Sequence, residues 1–458
     1  MERESRIQIT LPSDVSRIIE TLKDAGYDAY AVGGCVRDSV LGRVPKDWDI
    51  TTSAKPEEVK ELFKRTVDTG IQHGTVTVMF GKEGYEVTTY RIDGSYEDSR
   101  HPKQVSFTND LKEDLRRRDF TINAMAYNDV TGIVDEFDGI TCIKNKIIKA
   151  VGNAEERLSE DALRIMRAVR FSAELDYEID EETKDAIRKL SGNLTNISAE
   201  RIYTELNKLL ISNNPDRLRD AYELGVTKVI MPEFDTMMDE KQNTKHHMYT
   251  VGEHTLQALI YSAKNSDDLS KKDIRIIRWA LLFHDLGKPS SRIIDEVTGD
   301  DHFYNHPEKS VEIATDIMKR LKFDNDTIGR VKTLVKYHDY RPKLTENSVR
   351  KALVKIGVEN MPLLFCIKRA DTHAQSMYQR EEKLNDINTF EEYYRQILDK
   401  GDCLSLKDLK INGSDLMNIG VQKGPRIGEI LKKLFEHVLD YPEDNEREIL
   451  LEKAGKLV

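Results

Sequence analysis

Cysteine is scarce in this chain, long apolar runs are missing, and positive charge is outweighed. The four cysteines, Cys35, Cys142, Cys366 and Cys403, lie far apart and form no C-x-x-C pair. That spacing suggests neither a disulfide frame nor a zinc ribbon, and it fits a reducing cytosol. No apolar stretch approaches the roughly 18 residues of a membrane span, and the N-terminal MERESRIQITLP is charged, so neither a span nor a signal peptide is expected. A cytoplasmic location follows as the expectation. With a net charge of −11, a uniform basic field is excluded, so any nucleic acid must be met by a local basic surface.

What remains is a 458-residue chain, long enough for two to four domains. Its charged fraction of 33 % and apolar fraction of 39 % describe a polar, globular and helix-rich protein.

The most informative stretch is YAVGGCVRDSVLGRVPKDWDI, residues 30–50. It reads as strand, glycine turn, helix, loop and strand. Gly33 and Gly34 let the backbone approach a ligand closely, because no Cβ intervenes. The helix opening at Val36 turns free N–H groups toward an anion. On a strand, Asp47 and Asp49 share a face, while Trp48 and Ile50 point to the other side. Paired carboxylates behind a phosphate-binding turn suit metal-assisted nucleotide transfer. Two metals about 4 Å apart would stabilise the attacking and leaving oxygens. Magnesium is the expected cofactor, since it takes carboxylate and phosphate oxygens.

A helix is expected over 12–27, with Val15, Ile18, Ile19 and Leu22 on one stripe. Another is expected over 55–63, and paired strands over 75–80 and 85–90. Glu86, on the second strand, is a candidate third carboxylate. Residues 91–107 have no period and read as a long loop. In KEDLRRRDFTINAMAYN (112–128), Arg118 can face triphosphate oxygens bidentately, and Asn123 can reach a ribose hydroxyl. A single helix is expected over SEDALRIMRAVRF (159–171), capped by Ser159, with Asp161 and Arg164 on one face.

GGCVRD with DWDI, followed by RRDFTINAMAY and EDALR, resembles the polymerase-β nucleotidyltransferase superfamily, in its class II tRNA nucleotidyltransferase and poly(A) polymerase branch. The resemblance implies an α/β head followed by an all-α neck, body and tail. It implies that Asp47 and Asp49 are catalytic metal ligands. It implies a nucleotide site of Gly33, Gly34, Arg37, Asp38, Arg118, Asp119, Asn123, Asp161, Arg164, Arg167 and Arg170. Asp135 and Gly139 fit the family's hinge element. The 91–107 loop is similar to that of enzymes adding both C and A. The implied activity is addition of CCA to the 3′ end of tRNA, with CTP and ATP as substrates; no DNA or membrane partner is expected.

The base choice has a chemical rationale. Cytosine and adenine each present an amino group beside a bare ring nitrogen. A carboxylate accepts from the first and a guanidinium donates to the second. Uracil and guanine present the reverse pattern, and a buried mismatch of that kind discriminates strongly. Asp161 and Arg164 would thus replace a template. The amphipathic stretch 197–212, opened by Ser198 and carrying Glu200 and Arg201, is expected to brace that helix, and 215–235 reads as a further helix ending near Gly225.

A second pattern begins at residue 243. His254, the pair His284-Asp285, His306, His338 and Asp371 recur on successive expected helices. Their order resembles the HD phosphohydrolase superfamily and implies a divalent metal of unspecified identity that activates water for phosphoester hydrolysis. His246, His247 and His302 have no assigned role. The last helices, with KGPRIG, are expected to contact the tRNA elbow.

The expected division is therefore a nucleotidyltransferase head over 1–150, a neck and RNA-binding region over 151–242, an HD domain over 243–375 and a helical tail over 376–458. Three other readings share parts of the pattern: an A-only tRNA enzyme, a poly(A) polymerase with a more basic tail, and an HD phosphohydrolase with an RNA-binding head. Intact Asp47 and Asp49 count against the last.

Overall fold

The structure is a computed structural model that describes residues 7–94 and 105–457. The centre of the expected 91–107 loop lies outside the described residues; its two ends are not loop but short strands. The chain divides into two compact units after Pro232.

In the first unit the strands run, in chain order, β1 Ala29–Val32, β2 Asp49–Thr52, β3 Thr66–Gly70, β4 Thr75–Phe80, β5 Glu83–Thr89, β6 Arg91–Asp93, β7 Val105–Phe107, β8 Met125–Asn128 and β9 Gly132–Asp135. Seven form one mixed sheet in the order β3-β4-β5-β2-β1-β8-β9, and β6 pairs with β7. The Ser13–Asp24 helix covers it with Val15, Ile18, Ile19 and Leu22, all buried, as the 3.6-residue stripe requires.

Register positions the chemistry. β1 and β2 are antiparallel with Val32 opposite Asp49, so the glycine turn after β1 meets the start of β2. β2 and β5 are parallel with Ile50 beside Val87, which sets Glu86 beside Asp49. On the other flank Val32 faces Ala126 of β8, and Gly33 N donates to Met125 O at 3.1 Å, so Asn123 arrives at the same edge.

Some local expectations change. β2 begins at Asp49, so Asp47 sits in the loop before it, and Trp48 is half-buried instead of packed in the core. The expected 159–171 helix is two helices, Ala154–Glu160 and Leu163–Leu175. Asp161 breaks it with an extended backbone (φ −134, ψ 105), because its carboxylate accepts from Leu163 N at 3.0 Å and starts the second helix. Ser159 is therefore not a cap; its hydroxyl donates to Glu155 O inside the first helix. Residues 215–235 are broken into short helical pieces, with Gly225 in the left-handed region (φ 72). After the head, Ile147–Ile148 still pairs in parallel with Glu178–Ile179. Asp135 caps the helix Gly139–Lys144 by accepting from Gly139 N and Ile140 N.

The second unit is mostly helical. Val251–Lys264, Lys271–Phe283, His306–Arg320, Asn325–Tyr337 and Met361–Ala374 form its body, and one hairpin, Arg292–Ile294 with Asp301–Phe303, interrupts them. The final helices build a core of their own around Leu416, Ile430, Leu434, Val438 and Leu450. Among the described residues no helix is long and apolar enough to cross a membrane.

Candidate active sites

The head opens into a cavity of about 960 Å³ lined by Gly33, Gly34, Arg37, Asp38, Asp47, Asp49, Arg118, Asp119, Asn123, Asp161, Arg164, Arg167 and Arg170. The structure thus gathers every residue expected at the nucleotide around one space. Gly33 has φ +86, and a Cβ there would lie 3.0 Å from Arg118 Nη1, so the turn admits only glycine without strain.

One wall is acidic. Burial pushes the Asp49 carboxyl above its ordinary range, Arg118 opposes this, and the neighbouring Asp47 charge adds to it. Glu86 is pushed up by burial and by both aspartates. Asp49 and Glu86, with Asp47 beside them, form a hard, oxygen-rich group suited to a divalent cation.

Behind this wall runs a chain of contacts. Asp38 Oδ1 accepts from Arg37 Nε at 2.9 Å and Nη2 at 2.8 Å. Arg37 Nη1 donates to Asn123 Oδ1 at 2.8 Å, and Asn123 Nδ2 donates to Asp119 Oδ1 at 3.1 Å. Asp119 Oδ2 accepts from Arg167 Nε at 2.7 Å. Burial alone would raise Asp119, but Arg167, Asn123 and Arg164 hold it well below the carboxylate range. The guanidiniums of Arg37, Arg167 and Arg170 also surround the buried Phe171 ring, at 5.1, 5.2 and 3.9 Å from its centroid.

Asp161 and Arg164 do not pair with each other as neighbours on one helix would. Asp161 Oδ2 accepts from Arg201 Nη2 at 3.0 Å. Arg164 reaches Glu160, the carbonyl of Arg157 at 2.8 Å and that of Arg117 at 2.9 Å. The Ala199–Leu210 helix packs on Leu163–Leu175, and its Glu205 lies 2.6 Å from Arg170 Nε. Arg201 and Glu205 thus join the site. Their i,i+4 spacing in ISAERIYTE was a signal in the sequence, though their partners were not.

In the second unit, six expected ligands converge. His254 Nε2 lies 2.9 Å from Asp371 and 3.7 Å from Asp285, and His284 Nε2 is 3.3 Å from Asp285. On the other side of the same carboxylate, His306 and His338 Nε2 lie 3.4 and 3.7 Å from Asp285 Oδ1. Each Nδ1 faces a backbone carbonyl: His254 to Ala374 at 3.3 Å, His284 to Leu281 at 2.6 Å, His306 to Phe303 at 2.8 Å and His338 to Val335 at 2.7 Å. A carbonyl only accepts, so Nδ1 carries the proton and Nε2 presents a lone pair. Two such lone pairs face each other at 3.3 Å in His254–His284 and again in His306–His338, and each pair needs a proton or a cation between them. Neither Asp285 oxygen receives a regular hydrogen bond, although Lys288 Nζ lies 2.7 Å away. Burial would raise Asp285, but the proton that His284 Nε2 takes up in the absence of a cation, together with the Lys288 ammonium, outweighs it and holds it well below its usual range. Two candidate metal groups result, His254–His284–Asp285 and Asp285–His306–His338, sharing one aspartate. His246, His247 and His302 line the adjoining cavity beside Lys288, Arg341 and Lys383, none of which the motif order had singled out.

The chain is similar to known proteins over nearly its whole length. Residues 29–149 match a family model described as "Poly A polymerase head domain", and 176–238 match "Probable RNA and SrmB- binding site of polymerase A". Residues 305–454 match a model for "tRNA nucleotidyltransferase domain 2". The CCA-adding enzyme of Ligilactobacillus salivarius is 35 % identical over 453 residues, covering 96 % of this chain and 95 % of the relative. That of Pediococcus pentosaceus is 33 % identical, covering 97 % and 98 %. The crystal structure of the Bacillus stearothermophilus CCA-adding enzyme in complex with CTP is similar with a TM-score of 0.70 and 28 % identity, over 96 % of this chain and 95 % of that one. The fold is also shared with the Thermotoga maritima enzyme complexed with tRNA, at a TM-score of 0.61 and 22 % identity, over 99 % and 97 %. A nucleotidyltransferase head with a mixed sheet, a mostly helical body and relatives alike from end to end lead to one conclusion: the chain belongs to the family of CCA-adding enzymes, which are tRNA nucleotidyltransferases.

Proposed function

We propose that this enzyme adds CCA to the 3′ end of tRNA without a template. The 3′ hydroxyl of the tRNA attacks the α-phosphate of CTP or ATP, and pyrophosphate leaves. One observation carries the reading: the acidic wall of Asp47 and Asp49 and the Asp161/Arg164 pair line the same cavity.

Asp47 and Asp49, with Glu86 beside them, would hold magnesium, which when bound supplies charge neutralisation at the attacking and leaving oxygens. The Gly33-Gly34 turn, Arg37 and Arg118 receive the triphosphate. Asp38 fixes the Arg37 fork, and Asn123 lies within that network toward the sugar. The Asp161 carboxylate accepts from the amino group of cytosine or adenine, and Arg164 donates to the bare ring nitrogen. Arg167 and Arg170 complete the basic lining. In this reading the head ends near residue 150, the neck near 242 and the HD region near 375. The tail beyond meets the tRNA elbow in the cytoplasm.

Single-nucleotide incorporation tests this. Offered tRNA lacking its last three nucleotides, the enzyme adds CC with CTP alone and completes CCA only when ATP is also present. Addition of A alone, and only to tRNA already ending in CC, would make it an A-adding enzyme instead.

A second activity is favoured by the convergent Nε2 atoms. The His254, His284, Asp285, His306, His338 and Asp371 cluster would hold divalent metal, whose role when bound is to activate water for phosphoester hydrolysis. The protein's part is to fix each imidazole through its Nδ1–H and to share Asp285 between both groups. Metal analysis of the full chain, before and after Asp285→Ala, tests it: the variant loses the metal that the parent retains.

A further inference from the structure

The cavity beside the histidine–aspartate cluster, about 260 Å³, is lined by more than metal ligands. Arg341 and Lys383 stand where it meets a second cleft that also reaches His338 and Asp371. Neither cation is consumed by a strong ion pair. Lys383 Nζ donates to two neutral acceptors, Gln375 Oε1 at 2.6 Å and His246 Nδ1 at 3.1 Å. Gln375 Nε2 in turn donates to Asp371 Oδ2 at 3.1 Å, which places the ammonium one side chain away from the cluster. Arg341 touches Asp339 at 3.1 Å with both groups exposed, an arrangement that holds it weakly. Two cations so placed match a dianionic phosphate.

The same cavity has an aromatic edge. The hairpin Arg292–Ile294/Asp301–Phe303 delivers His302 and Tyr304, whose rings stack at 5.4 Å and 14°. Tyr304 is 63 % exposed, an open π-face at the mouth of a charged cavity. Exposed aromatics beside phosphate-holding cations are the features that bind unpaired nucleotides, because every base has a face to stack.

We infer that Arg341 and Lys383 hold the phosphate, and the His302–Tyr304 stack holds the base, of a ribonucleoside monophosphate unit presented to the cluster. The inference rests on reading the cluster as a hydrolytic metal site. The unit can arrive free or as the phosphorylated 3′ end of an RNA. Arg341 and Lys383 are positioning residues: they orient the ester while the cluster acts on it.

The test uses the full chain stripped of metal by a chelator, so that nothing is turned over. Adenosine 3′-monophosphate, and separately a short RNA ending in a 3′-phosphate, are added, and amide hydrogen exchange locates the protection. Protection is expected in the hairpin and in residues 338–344, with affinity falling at least about tenfold in Arg341→Ala/Lys383→Ala. Tyr304→Ala should weaken the nucleotide but leave inorganic phosphate binding unchanged. Response to the RNA alone assigns the source to RNA ends; response to both assigns it to the nucleotide unit. Protection confined to the head, or survival of binding in the double variant, would overturn the subsite. The hydrolase reading fails separately: if the cluster takes up no added manganese while the hairpin is still protected, the subsite stands and the metal reading does not.

Discussion

Arg201 Nη2 lies 3.0 Å from Asp161 Oδ2, so the Ala199–Leu210 helix grips the carboxylate that a helix break presents to the head cavity. Asp161 sits at a helix break, where its backbone alone does not fix the side chain. If base choice depends on that carboxylate being held in place, Arg201→Ala should relax it. The expected result is a rise in UTP or GTP misincorporation of about tenfold, smaller than for Asp161→Ala, with tRNA binding little changed. Equal fidelity in parent and both variants would remove the templating role of Asp161.

The two acidic centres should fail independently. Asp49→Ala removes a carboxylate from the head wall, and transfer should drop by about 10³-fold or more, the loss expected with several kcal/mol of charge stabilisation. Metal content of the His254–Asp371 cluster should be untouched. Asp285→Ala, which empties both groups sharing that residue, should do the reverse. Simultaneous loss of both properties in either variant would contradict two separate sites.

The reach of sequence reasoning follows interaction range. The glycine turn, the Ser13–Asp24 stripe and the β4–β5 pair depend on neighbours in the chain, and they were legible. So was the gathering of the histidines and aspartates of the second unit, because their residue types recur in order along the chain. The break at Asp161 was not, since the same SEDALR run is a good helix until its aspartate bonds Leu163 N. β3 was missed because Thr66–Gly70 is largely exposed and carries no alternation of burial. Of the partners of Arg164, Glu160 and Arg157 are near in sequence, but the Arg117 carbonyl lies on a distant segment and no local pattern names it.

Asp119 links stability to pH. It is buried, and Arg167 and Asn123 keep its carboxyl far below the ordinary value. A depressed folded-state value means the stabilisation is complete above the unfolded value of about 4 and fades as pH falls below it. Asp119→Ala should therefore cost about 3 kcal/mol at neutral pH, with Arg167 and Asn123 left unpaired. Denaturant melts of parent and variant should converge as pH is lowered through about 4 toward 2. A pH-independent gap would mean the loss is one of packing alone.

Chelation offers a test free of substrate. A cation bound only by the folded state adds about 2.7 kcal/mol at a hundredfold excess over its Kd. Thermal melts of the chelator-treated protein should rise on adding back manganese or zinc, and the rise should vanish in Asp285→Ala. A persistent response in that variant would move the cation to another site.

Phe171 is the last residue whose removal separates mechanism from architecture. Its ring is flanked by Arg37, Arg167 and Arg170, three of the cations lining the head cavity. Phe171→Leu keeps an apolar side chain but deletes the π-face, so each guanidinium loses an interaction of about 0.5–2 kcal/mol. The cations then hold their places through Asp38, Asn123, Asp119, Glu174 and Glu205, and the KM for nucleotide should rise several-fold while the melting temperature falls by several degrees. Phe171→Tyr, which keeps the face, should restore the KM. If leucine and tyrosine behave alike, the ring serves only to fill space, and the arginines are held by their carboxylates alone.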